Sequence, residues 1–337
     1  MNLRFAANAS FFGARRDRFN EYQPDRDLLE KLDLIASIDG ITGVELKYPR
    51  DFGRGDSAAV RDVGDWIADH GLALSAVNVD TKAVAHFRYG ALSARHEDVR
   101  AMAVSRLRAG MDIAAELGAQ VVTTCPLAEG YDYPFQINYV EAWDHLIESV
   151  RLSAAHRDDV SLVLEYQPHE PHAHILLDNV GKLLHLCAEV SQGSEAGEGV
   201  DNVGANLDVG HSFAAGESPA EAAALLARKG WLRYVHTNDN TGDGGDWDMI
   251  SGAVHFWGWL ELLYTLDALD YDGWFSGDIQ PKHFSPVAAY RTNMRMVQQM
   301  AALLERVGAE HIAAQIKVEG HTPALYAMLM EAVAGTS

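Results

Sequence analysis

From end to end the chain alternates short apolar runs with longer amphipathic stretches. Leu3–Ser10, Val44–Tyr48, Leu72–Val79, Gln120–Thr124, Val160–Glu165, Val203–Asp208 and Leu232–His236 read as strands, and the run after Asp272-Gly273 reads as an eighth. The segments Arg26–Ser37, Ala58–His70, His96–Leu117, Tyr139–His156, Val180–Val190, Ser218–Arg228, His255–Leu269 and Pro286–Val307 place apolar residues three and four apart, the period of a helix with one buried face. The strands are continuously apolar rather than alternating, as in a sheet covered on both sides. Strict strand–helix alternation predicts a parallel sheet, and eight repeats predict closure into a (β/α)8 TIM barrel. That barrel would span residues 1–309. Residues 310–337 would form a short C-terminal helical extension, with one amphipathic helix at about Pro323–Val333 that covers the barrel bottom or reaches a neighbouring subunit.

Composition agrees with one large domain: 337 residues, 48% hydrophobic and 22% charged. The net charge of −21 argues against nucleic acid or an anionic membrane as partner, and favours a neutral sugar over a sugar phosphate. The two cysteines, Cys125 and Cys187, sit in apolar surroundings and imply no disulfide framework. With no signal-peptide run at the start and no stretch of membrane-spanning length, a cytoplasmic location is the expectation.

Charge at strand ends changes this picture. Glu165 follows Leu162-Val163-Leu164, Asp208 ends the Val203–Leu207 run, His236 follows Tyr234-Val235, and Asp278 follows Trp274-Phe275-Ser276-Gly277. In a parallel barrel the carboxyl ends of the strands converge on one mouth, where barrel enzymes place their chemistry. Three carboxylates and an imidazole there suit a divalent cation. His211, three residues after Asp208, would face the loop above. Asp243, Asp246 and Asp248 form an acidic, glycine-rich loop that could complete a second cation site with His211, or could simply be a solvated turn. Asp208 lies too far from Ser218 to cap the helix expected there. Trp247, Phe256, Trp257, Phe87 and Phe12 are candidates to line a sugar face, and His255 either faces the pocket or opens the seventh helix.

The stretches Glu165-Tyr166-Gln167-Pro168 with Glu170-Pro171, Asp208-x-Gly210-His211, His236-x-Asn238-Asp239 and Trp247-Asp248-Met249-Ile250, with the Asp278 strand, resemble the xylose-isomerase-like barrel superfamily of sugar isomerases and epimerases. The segment Gly130–Gln136 also looks like the branch that includes rhamnose isomerase. The resemblance implies that Glu165, Asp208, His236 and Asp278 hold Mn2+, with Mg2+, Co2+ or Zn2+ as alternatives. It also implies that Glu165, Asp278 and His211 carry the proton chemistry beside a sugar carbonyl. Gln167, His255, Trp257, Phe87, Asp246 and Asp248 would contact the substrate. Two departures bear on the reaction. Gln167 stands where isomerases of this type carry a lysine, and Asp278 stands where epimerases carry a glutamate. The sequence is also similar to the larger subunit of C-glycoside deglycosidases, which cleave an oxidised (3-oxo) glycoside together with a small partner subunit. An oligomer is expected on either reading. An endonuclease of this architecture would need a basic groove, which the charge opposes. A non-catalytic binding protein would not need four aligned ligands.

Overall fold

The computed structural model describes residues 1–53, 57–193, 198–243 and 245–335. Eight parallel strands close into a barrel: β1 (Arg4–Asn8), β2 (Ile41–Tyr48), β3 (Ala73–Val79), β4 (Val121–Thr124), β5 (Ser161–Leu164), β6 (Val203–Asp208), β7 (Leu232–Thr237) and β8 (Trp274–Gly277). Each pairs with its sequence neighbours, and β1 closes on β8 through Arg4↔Trp274 to Ala7↔Gly277. The surrounding helices are α1 (Leu28–Ala36), α2 (Ser57–Asp69), α3 (Glu97–Glu116), α4 (Tyr139–Ala154), α5 (Val180–Gln192), α6 (Val209–Ala214), α7 (Pro219–Ala227), α8 (Phe256–Ala268) and α9 (Pro286–Val307). Their starts follow the sequence. Asp27 and Glu30 form a reciprocal cap on α1, and Ser218-Pro219 opens α7. Among the described residues no helix is long and apolar enough to cross a membrane.

Two apolar layers hold the barrel. The larger lies between the strands and the helices and includes Leu32, Val44, Leu107, Leu162, Leu207 and Trp259. The smaller lies inside the barrel, where Ala76, Val121, Val163 and Tyr234 pack with Trp274 as a floor. Trp274 can cross that floor because residue 43 is glycine: a Cβ there would lie 2.6 Å from the indole. Side chains alternate along each strand. The next inward positions above the floor are therefore Glu45, Asn78, Thr123, Asn206, His236 and Ser276, a polar layer joined by its own hydrogen bonds. One alternation further lies the mouth.

Three elements differ from the sequence reading. The first strand ends at Asn8, whose side chain accepts from Ser10 N and turns the chain into a 3-10 segment, Ala9–Phe12. A short helix, α6, begins directly after β6, which the apolar pattern did not reveal. The extension beyond α9 holds two helices, α10 (Ala309–Ile316) and α11 (Thr322–Ala334), which pack on the outside against α9. Positions 336 and 337 lie outside the described residues.

Candidate active site

Glu165, Asp208, His236 and Asp278 come from β5, β6, β7 and β8, and each places a ligand atom within 4.8 Å of the other three. His236 Nδ1 stands 3.1 Å from Glu165 Oε2, 3.0 Å from Asp278 Oδ2 and 3.6 Å from Asp208 Oδ2. None of these oxygens lies where an N–H on Nδ1 would point, so among the described residues that nitrogen makes no hydrogen bond despite its short distances. Its other nitrogen explains why. Nε2 lies 2.9 Å from Glu45 Oε2, deep in the polar layer. A proton held on Nε2 by Glu45 leaves the Nδ1 lone pair facing the three carboxylates. Glu45 is itself fixed by Asn8, Asn78 and Ser276.

Three carboxylates buried around one ring nitrogen need positive charge among them, because each unmatched buried ion costs several kcal/mol. The titration directions carry the same message. Burial and the neighbouring carboxylates push Asp278 up to about 6, although His236 pulls the other way. Burial opposes charge on Glu165, but His236 and His211 outweigh it and hold the carboxyl well below its usual range. Burial likewise opposes charge on both imidazoles. Asp208 and Asp246 around His211, and Glu45, Asp278 and Glu165 around His236, raise them well above the ordinary value. The donor set, the unpartnered Nδ1 and the equally unpartnered Asp278 Oδ1 fit a divalent cation.

Asp208 does a second job that the sequence reading had set aside. It caps a helix after all, and the helix is α6: Asp208 Oδ1 accepts from His211 N at 2.9 Å. This cap turns His211 inward rather than toward the loop above. His211 lies with Nδ1 3.1 Å from Glu165 Oε1 and Nε2 3.3 Å from Asp246 Oδ1. Gly210 is required beside it, since its N–H meets Asn238 Oδ1 at 2.6 Å and a Cβ there would lie 2.7 Å from that oxygen. Asn238 in turn donates to Asp208 Oδ2 at 2.9 Å and Asp248 Oδ1 at 3.2 Å.

The remaining candidates separate. Gln167 is buried beside Cys125, whose Sγ approaches its Oε1 at 3.8 Å. Asp246 stays with His211, whereas Asp248 is held by two amides, those of Asn238 and Gln280. Burial, then the charges of Asp246, Asp278 and Asp208, raise the Asp248 carboxyl well above its usual range. Asp243 closes a turn, accepting from Thr241 and Trp247; Gly244 of that loop lies outside the described residues. His255 stacks on Phe213 at 4.0 Å and pairs with Asp239 at 2.8 Å. Two expected sugar contacts do not reach the site. Phe87 is 1% exposed beneath the Arg106 guanidinium, and Trp257 packs against Tyr326 of α11, on the outside of the barrel. Phe12 is core, against Tyr290. Glu45 and Asn206, which hold His236 and Glu165 by hydrogen bonds, were not singled out in the sequence reading. The one signal was a lone charge in Val44-Glu45-Leu46.

The family model described as xylose isomerase-like TIM barrel matches residues 32–300. The chain belongs to that family. Among curated relatives it is 26% identical over 202 residues to a xylose isomerase of Thermus thermophilus, and 27% identical over 202 residues to one of Thermus caldophilus. In both comparisons 59% of this chain is covered but only 49% of the relative, so the chain spans about half the length of the curated relatives it matches. Among solved structures, a D-tagatose 3-epimerase-like protein superposes with TM-score 0.66 at 19% identity, covering 91% of this chain and all of the other. An L-ribulose 3-epimerase gives 0.64 at 17% identity, covering 94% of this chain and 99% of the other. The IOLI protein, described with a binding zinc atom, gives 0.63 at 18% identity, covering 89% and 98%. At these identities the structural likeness establishes the barrel fold.

Proposed function

We propose that this protein is a divalent-metal-dependent carbohydrate enzyme that transfers a proton at the carbon beside a sugar carbonyl, isomerising or epimerising a neutral sugar. What carries the reading is His236 Nδ1, which has no hydrogen bond among the described residues and faces three carboxylates across 3.0–3.6 Å. Glu165, Asp208, His236 and Asp278 would hold the ion, with Mn2+ the first choice. A cation held there would supply Lewis-acid polarisation of a sugar carbonyl. The chain's own groups do the rest. The Glu165 and Asp278 carboxylates flank the reacting carbon and can accept its proton, the C–H electron pair passing into a carbon–carbon double bond as the carbonyl oxygen gains charge. His211, between Glu165 and Asp246, is placed to pass that proton on. Return of the proton to the neighbouring carbon isomerises the sugar; return to the opposite face epimerises it. The names of the neighbours, isomerases and 3-epimerases, support the class.

The test is elemental analysis of the purified protein before and after chelation, with a screen of free aldoses and ketoses in heavy water for deuterium uptake. Metal-free protein that keeps full activity would overturn the proposal. A second reading, loss of the β-substituent from a 3-oxo C-glycoside with a small partner subunit, is favoured by the neutral Gln167. A ring ketone needs no cation at that position. Inertness toward every free sugar, with cleavage of an oxidised glycoside, would select it.

A further inference from the structure

Gln167 leaves the position two residues after Glu165 without charge, but Cys125, which touches that amide, also receives an ammonium from the loop after β3. Lys82 follows β3. Its backbone N–H donates to Asp80 Oδ1 at 2.9 Å, which turns the loop inward, and its Nζ donates to the Cys125 carbonyl at 3.3 Å. Cys125 Sγ in turn lies within 4.8 Å of ligand atoms of both Glu165 and His211, and 3.8 Å from Gln167 Oε1. Lys82 is thus one residue removed from the acidic cluster and from the amide that replaces the missing lysine.

An ammonium offers three donors. Among the described residues, Lys82 Nζ spends one on a neutral carbonyl and has no carboxylate within ion-pair distance. Asp80, the acid closest to it in the chain, meets Lys47 Nζ instead, at 4.0 Å. Lys82 is half-buried, so its remaining N–H groups are open to solvent or to a bound sugar.

We propose that Lys82 is the group that holds the substrate oxygen on which negative charge builds, in place of the lysine that Gln167 replaces. The assignment rests on the proton-transfer reading of the site. As the proton leaves the carbon beside the carbonyl, charge accumulates on that oxygen, and a preplaced N–H donor stabilises it more than it stabilises the neutral ground state. The substrate is then a sugar whose reacting carbonyl spans from the acidic quartet to Lys82.

The test uses Lys82→Met and Lys82→Arg in the manganese-loaded full chain, titrated calorimetrically with D-threonohydroxamate, which presents an anionic oxygen pair, and with xylitol, which is neutral. Lys82→Met is expected to weaken the hydroxamate ~10²-fold and xylitol less than ~3-fold, with manganese content unchanged and Lys82→Arg recovering most of the loss. With a sugar that the wild type converts, kcat should fall ~10²–10³-fold while KM moves less than ~3-fold, the mark of an interaction made in the transition state. Equal losses for both probes, or none, overturn the assignment while leaving the metal site intact. A wild type that takes up no metal and binds neither probe overturns the underlying reading, and the role of Lys82 with it.

Discussion

Strands β5–β8 and strands β1–β3 open onto the same barrel mouth but bring opposite charge to it. The first arc supplies Glu165, Asp208, Asp278 and the two imidazoles, all within a few ångström and short of positive charge. The second arc supplies Lys47 and Lys82, with Asp80 between them and Arg50 engaged by Asp51. Arg15 stands nearby over Phe11, its Nε without a hydrogen bond among the described residues. The ligand arc is rigid: its residues are strand ends and a helix cap, fixed by Asn206, Asn238 and Glu45. The cationic arc is looser, with a 4.0 Å ion pair and ammonium donors to spare. A rigid arc suits the holding of an ion in fixed geometry. A looser arc suits a substrate that must enter, react and leave.

The largest effects should come from the rigid arc. Glu165→Gln and Asp278→Asn are each expected to lower turnover by at least ~10²-fold with the fold intact by circular dichroism, the size of a lost acid–base group. His211→Ala should damage turnover more than metal content. If His211→Ala releases the metal and the other two variants keep it, the roles are reversed. Next comes the support beneath that arc. Glu45→Gln keeps the shape but removes the charge behind His236, and metal affinity measured by competition with a chelator should fall ~10–100-fold. A change below ~2-fold would mean that Glu45 serves the polar layer alone.

The comparison sharpens at the seam between the arcs. Gln167→Lys would set a second ammonium beside Cys125, which Lys82 already contacts, and like charges so placed repel. Aldose–ketose activity should therefore rise less than ~10-fold. A larger rise would show that the site was waiting for a cation at position 167. The smallest effect belongs outside both arcs. Trp257→Phe trims a contact with Tyr326 of α11 and should lower stability by ~1 kcal/mol at most, read from urea midpoints, with kcat unchanged.

The convergence of Glu165, Asp208, His236 and Asp278 was legible because strand periodicity and strand ends are local properties. A carboxylate or imidazole at the end of a strand marks its own place, and eight strand–helix repeats imply one convergence point. The α6 helix was hidden, since six residues are too few to show a helical period, and with it went the inward turn of His211 and the capping role of Asp208. Phe87 and Trp257 misled for a related reason: an aromatic residue in a loop or first turn carries no sign of which side it faces.

Element order, the parallel closed sheet, the acidic character and the convergence of the four strand-end side chains were thus determined by the sequence alone, through patterns that repeat within a few residues. Pairings across the barrel were decided only by the tertiary structure. Glu45 meets His236 across 191 residues of chain, and the Lys82 ammonium reaches the carbonyl of Cys125 across 43. No local periodicity encodes such meetings. They depend on the register of each strand against the next, where a shift of one residue would turn every inward side chain outward.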